Sequence, residues 1–222
     1  MSRLKPHERV NDILLGPLER PALRWLAEHM PPWVTPDVLT GIGVVGSLMT
    51  FAGYWASSWA AAFLWLASLG LFVNWFGDSL DGTLARHRKI ERPKFGFFID
   101  HTVDAVSETL VVFGLGLSPY VSFEVAAVAL IGYLLMSVLV YVRTYVTGEF
   151  RISYGRFGPT EVRVMIILFN AVLFFVGVRE VSLWFGEVSV YDFAIGALGV
   201  ALIAVFLVSA TLEARQLAKV GE

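Results

Sequence analysis

The basic residues of this chain sit in a few clusters, and long apolar runs fill the spaces between them. Of 17 Lys and Arg residues, none falls between Arg24 and Arg86, and Arg179 alone falls between Arg163 and Arg215. Crossing about 30 Å of hydrocarbon takes roughly 20 helical residues. The chain has room for six such spans, at 37–57, 60–82, 95–117, 122–147, 160–178 and 191–212. This pattern predicts an all-α integral membrane protein with six transmembrane helices.

Composition agrees. Hydrophobic residues make up 56% of the 222 residues and charged residues 16%, against about 25% charged in an average soluble domain. Disorder is excluded by the same figures. The chain has no cysteine, which excludes a disulfide framework, a cysteine zinc site and a cysteine nucleophile. A net charge of −2 gives no sign of a nucleic-acid partner. No internal repeat, low-complexity segment or second domain is visible. The expected organisation is an N-terminal cytoplasmic segment, residues 1–36, followed by a membrane domain, residues 37–222.

Residues 1–12 are polar and charged, unlike the start of a secretory signal peptide. Residues 7–29 read as an amphipathic helix ended by Pro31 and Pro32. Its apolar stripe is Val10, Ile13, Leu14, Leu18, Leu23, Leu26 and Ala27, with Arg9, Glu19, Arg20 and Glu28 opposite. Such a helix either lies in the membrane interface or packs on the rest of the protein. Six spans place both termini, the 2–3 loop and the 4–5 loop on one side, which carries 16 of the 17 basic residues. By the positive-inside rule that side is cytoplasmic. The stretch HRKIERPK at 87–94 serves either as a topology signal or as a contact for anionic headgroups.

Spans 2 and 3 carry carboxylates that a membrane helix does not tolerate without reason. Asp78 and Asp81 are three residues apart and share a helix face; Asp100, Asp104 and Glu108 are four apart and share another. A short loop makes the two helices antiparallel neighbours, so four aspartates converge near the cytoplasmic surface. Converging carboxylates need protons or cations. Hard oxygen donors suit Mg²⁺, Mn²⁺ or Ca²⁺, and two divalent ions would balance four aspartates and clamp a phosphate or diphosphate. Helix caps and interhelical hydrogen bonds are the plainer reading. Between the two pairs, Gly82 and Ala85 leave the backbone clear for a ligand, and Arg86 offers a guanidinium fork for phosphate.

The residues from Asp78 to Asp104 resemble the signature of the CDP-alcohol phosphotransferases, D-x-x-D-G-x-x-A-R followed by G-x-x-x-D-x-x-x-D. Here Asp78, Asp81, Gly82, Ala85, Arg86, Gly96, Asp100 and Asp104 fill all eight positions. Nine residues separate Arg86 from Gly96, where about eight are usual. Thr35, Pro36, Asp37, Leu39 and Thr40 resemble the family's approach to its first span, with Asp37 where Asn is common. The resemblance implies that Asp78, Asp81, Asp100 and Asp104 hold two divalent ions, Mg²⁺ or Mn²⁺, and that Asp104 is a candidate general base. It implies that Asp81, Gly82, Ala85 and Arg86 meet the cytidine nucleotide. It also implies transfer of a substituted phosphate from a CDP-linked donor to an alcohol, release of CMP, at least one lipid substrate and a homodimer.

Two features are similar to the choline and ethanolamine branch of that family, which uses a CDP-amino-alcohol and a lipid alcohol. His101 directly follows Asp100, and the stretch Arg143 to Gly148 is followed by Thr160-Glu161-Val162. In that branch a His and a Glu act together as the base, and His101 and Glu161 fill those places. Arg143, Arg151, Arg156 and Arg163 around the 4–5 loop resemble instead the phosphate-binding residues of relatives that join CDP-diacylglycerol to a polar alcohol. Arg143 and Arg163 are then acceptor ligands. From other classes, the aspartates would suit a divalent-cation transporter, although span 3 is apolar beyond Glu108, or a non-catalytic scaffold.

Overall fold

The computed structural model describes residues 14–147, 158–183 and 186–220. Arg151, Arg156, Gly148 and the first part of the amphipathic stripe, Val10 and Ile13, lie outside the described residues.

Among the described residues seven helices follow one another, with one small hairpin before the last. α1 spans Gly16–His29, α2 Pro36–Ala56, α3 Phe63–Arg88, α4 Pro93–Gly116, α5 Phe123–Thr147, α6 Pro159–Val176 and α7 Val190–Val220. Prolines set several starts, since a missing N–H costs nothing in the first helical turn. Pro36 opens α2 behind the Thr35 cap, whose hydroxyl accepts from the Val38 N–H, and Pro93 and Pro159 open α4 and α6. α3 runs six residues past its expected end. Its last turn holds Arg86, His87 and Arg88, cations that suit the negative end of a helix. It stops where Lys89 adopts a left-handed conformation at φ 57°.

α2, α3, α5, α6 and α7 are each long and apolar enough to cross a membrane, and the protein is an all-α, multi-pass integral membrane protein. α4 has the length, at 24 residues, but carries Asp100, Asp104 and Glu108. It packs against α2 and α5.

The tightest pair is α2 with α3. Lipid gives helices no hydrophobic reason to associate, so small residues and interhelical hydrogen bonds do that work. A Cβ at Gly46 would overlap the Asn74 backbone, and one at Gly77 would overlap the backbone of Gly43 and Leu39. Buried polar side chains add rungs. Asn74 Nδ2 donates to Gly43 O and Ser47 Oγ, at 3.1 and 3.0 Å. Tyr54 donates to Asn170 Oδ1 of α6 at 2.7 Å, and Asn170 donates to Ser68 Oγ at 3.1 Å. On the other flank α7 packs on α5, where a Cβ at Gly199 would come within 2.9 Å of the Ala129 backbone.

α1 is docked on α3. Leu23 and Ala27 are buried against Leu80 and Leu84, with Leu26 beside them, while Leu14 and Leu18 of the expected stripe are exposed. Glu19, expected on the solvent face, instead accepts hydrogen bonds from Trp75 and Thr160. Arg88, one of the basic 2–3 loop residues, reaches back to the α1–α2 turn. Its guanidinium donates to the carbonyls of Met30, Pro31 and Val34 at 3.0, 2.9 and 2.5 Å.

The hairpin is the one departure from an all-helical reading. β1 (Glu180–Leu183) and β2 (Gly186–Ser189) pair antiparallel, with Val181 opposite Val188. Ser189 ties the hairpin to Tyr120 O, and Tyr191 donates to Gly177 O.

Candidate active site

The close approach of α2 and α3 at Gly43 and Gly77 builds the first half of the site. It brings Thr40 to Asp81, and the threonine hydroxyl donates to Asp81 Oδ2 at 2.6 Å. The other oxygen of Asp81 accepts the Gly82 N–H at 2.5 Å, and the side chain is buried. Arg86 folds back along its own helix. Its Nη2 donates to Thr83 Oγ1 at 3.2 Å, and a Cβ on Gly82 would lie 3.3 Å from Nη1. Gly82 therefore leaves room for the guanidinium.

Asp81, Gly82 and Ala85 line one wall of a shallow open cleft. The start of α2 (Pro36, Asp37, Thr40) and the start of α4 (Phe95, Gly96, Asp100) line the others. At the rim Arg92 pairs with Asp37 across the cleft and lies 4.1 Å over the Phe95 ring. Asp37, the residue that departs from the usual Asn, thus acquires a basic partner.

The second half is built on the contact of α3 with α6. Asp78 Oδ2 accepts from Arg163 Nη2 at 2.6 Å, and Arg163 Nε donates to Asn74 Oδ1 at 2.9 Å. Asp104 feels the charges of Asp78, Glu108, Arg163 and Asp100, and Asp81 those of Asp100 and Asp78. The four aspartates, Glu108 and Arg163 thus lie within electrostatic reach of one another, and Arg163 contacts Asp78 directly. Tyr133 of α5 hydrogen-bonds Glu108.

The carboxylates outnumber the guanidinium, and hard oxygen donors in such excess fit Mg²⁺ or Mn²⁺. As the side chains stand, no three acidic or histidine groups among the described residues converge on one ion position. Asp78 is engaged by Arg163 and Asp81 by Thr40.

His101 is on α4 toward α5. Its ring stacks on Phe97 at 4.1 Å and meets Tyr141 at 4.9 Å between centroids. Glu161 is elsewhere. One oxygen accepts the Leu15 N–H at 2.7 Å, and the other reaches back to the Gly158 N–H at 2.9 Å. The carboxylate caps α6 and holds the start of α1, and the structure does not bring it to His101. Arg143 pairs with Glu213 of α7 at 3.4 Å, so it faces a different neighbour from Arg163.

Sequence reasoning gave no role to Thr40, Asn74 or Tyr133. Asn74 had a signal: a polar residue inside a span, four before Asp78 and so on its face. Thr40 stood within a stretch already matched. Tyr133 had none, because its contact is set by how α5 packs.

The profile of the CDP-alcohol phosphatidyltransferase family matches residues 33–205. The chain belongs to that family. Cholinephosphotransferase 1 of Gallus gallus is 32% identical over 191 residues, covering 80% of this chain and 55% of that protein. The Danio rerio protein of the same name is 32% identical over 175 residues, covering 72% of this chain and 42% of that one. The chain thus spans about half the length of these curated relatives. Archaetidylinositol phosphate synthase of Pyrococcus horikoshii is 34% identical over 144 residues, covering 63% of this chain and 72% of that one. Family membership leaves no basis for the cation-transporter reading.

Proposed function

We propose that this protein transfers a substituted phosphate from a CDP-linked donor to an alcohol and releases CMP, as a step in membrane phospholipid synthesis. The observation that supports this is that five of the eight signature residues, Asp81, Gly82, Ala85, Gly96 and Asp100, line one open cleft, with Asp78 and Asp104 in electrostatic reach of them.

In this reading the cytidine nucleotide enters the cleft past Asp37 and Arg92. Gly82 and Ala85 let the diphosphate approach the α3 backbone, and Arg86 turns from Thr83 to meet it. Asp78, Asp81, Asp100 and Asp104 would hold two divalent ions, which would supply charge neutralisation for the diphosphate and the leaving CMP. The cleft orients the donor so that an acceptor hydroxyl attacks phosphorus in line with the CMP oxygen.

The preferred donor is a CDP-amino-alcohol and the preferred acceptor a lipid alcohol. Both arginines that would serve a phosphorylated polar acceptor are engaged within the protein, Arg143 by Glu213 and Arg163 by Asp78. His101 is then the base that takes the acceptor proton, without orientation by Glu161. A neutral imidazole suits that work near neutral pH. A second reading, transfer from a CDP-lipid to a polar alcohol with Asp104 as base, is favoured by the likeness to the archaeal synthase. The active site and both termini face the cytoplasm, and the protein works as a homodimer. The test is CMP release with matched donor and acceptor pairs. Release from CDP-choline or CDP-ethanolamine with diacylglycerol supports the first reading. Release from CDP-diacylglycerol with a polar alcohol supports the second.

A further inference from the structure

Two sets of hydrogen bonds join α3 to α6. In one, Arg163 of α6 donates to Asp78 and Asn74 of α3. The other runs through a third helix. Glu19 of α1 accepts from Trp75 Nε1 of α3 at 2.8 Å and from Thr160 Oγ1 of α6 at 2.7 Å, both on the same oxygen, Oε1. Trp75 precedes Asp78 by three residues, and Thr160 precedes Arg163 by three. Residues three apart share a helix face, so Glu19 grips the faces of α3 and α6 that carry Asp78 and Arg163. A second bond fixes α1 to the same end of α6, from Leu15 N–H to Glu161 Oε1 at 2.7 Å.

We propose that Glu19 is a positioning residue for the reaction, setting the register of α3 against α6 and through it the placement of Asp78 and Arg163. α1 is then part of the active-site frame rather than a membrane anchor alone. A carboxylate suits the junction because it accepts two hydrogen bonds on one oxygen and needs no donor in return. The proposed transfer reaction supplies one readout. The register itself supplies another that does not depend on activity.

The experiment compares Glu19→Ala and Glu19→Gln in the full chain. The chain has no cysteine, so cysteines introduced at Leu69 of α3 and Leu168 of α6, both exposed, take spin labels at those sites alone. Glu19→Ala should broaden the distance distribution between the labels. It should also lower kcat by roughly tenfold to a hundredfold, the scale of an ångström-sized misplacement. The KM for the CDP donor should stay near the wild-type value, because α2, α3 and α4 line the donor cleft and α6 does not. Glu19→Gln keeps an accepting oxygen and should restore both the narrow distribution and the rate. Should Glu19→Ala not yield folded protein, Trp75→Phe removes one donor at nearly constant volume and should show the same changes in smaller measure. An unchanged distribution in Glu19→Ala overturns the proposal. So does a broadened distribution with an unchanged kcat, or a defect that Glu19→Gln does not repair. Absence of transfer in the wild-type protein defeats the transferase reading instead, and the labels still decide whether Glu19 sets the register.

Discussion

Single side chains carry the chemistry, and three of them have roles that separate cleanly. Asp100 lines the cleft and faces both Asp81 and Asp104. Asp100→Asn keeps the volume and removes the charge, so transfer should fall to background while CMP still binds. Wild-type turnover in that variant, measured as CMP release, would remove Asp100 from the site. His101→Ala should lower kcat by roughly 10²- to 10⁴-fold, the usual contribution of a general base. A retained rate assigns the proton to Asp104. Arg88 touches no part of the cleft. Its loss strands the carbonyls of Met30, Pro31 and Val34, and Arg88→Ala should cost about 1–3 kcal/mol of stability. Thermal unfolding in detergent checks this, and an unchanged midpoint would mean that water replaces the guanidinium.

At the scale of helices, the six apolar runs were legible because a membrane span is long and its ends are marked by proline or charge. α2, α5 and α6 start within a residue of expectation. α3 and α7 run further because their basic last turns continue the helix beyond the apolar run. The hairpin of β1 and β2 was not legible, since strands of four residues are too short for their alternation to stand out beside long apolar runs. The four aspartates were legible, as charges at membrane depth stand out in any sequence. The roles of Glu19, Glu161 and Arg88 were not, because each depends on which helix lies alongside. All three are surface-type residues by local pattern and become junctions only in the folded chain.

Helix pairs also rank the forces in this fold. A hydrogen bond between membrane helices contributes about 0.6 kcal/mol, rarely above about 1.7. Tyr54→Phe, which removes the bond to Asn170, should therefore leave a folded and active protein. Gly77→Val should not, because its side chain would occupy the backbone of Gly43 and Leu39 and part Thr40 from Asp81. Monodispersity on size exclusion distinguishes them. Equal behaviour of the two variants would mean that polar rungs, and not close backbone contact, hold α2 to α3.

For the molecule as a whole, the proposed orientation rests on charge distribution. The α3–α4 loop and the start of α4 hold Lys89, Arg92 and Lys94, and the hairpin side holds Arg179 among acidic residues. In a chain without native cysteine, Glu91→Cys and Glu187→Cys report one side each. Glu91→Cys should be labelled only from the cytoplasmic face and Glu187→Cys only from the other. Labelling of both from one face would mean that α4 does not cross, leaving five spans.

The central claim is that this cleft breaks a CDP linkage. The direct measurement is CMP release by the purified protein with Mg²⁺, with each CDP donor tested against its matched alcohol. Release should need both donor and acceptor, stop when the divalent ion is chelated, and be lost in Asp100→Asn. No release from any pair by folded wild-type protein would contradict it, and CMP binding without turnover would leave the fold as a nucleotide-binding scaffold.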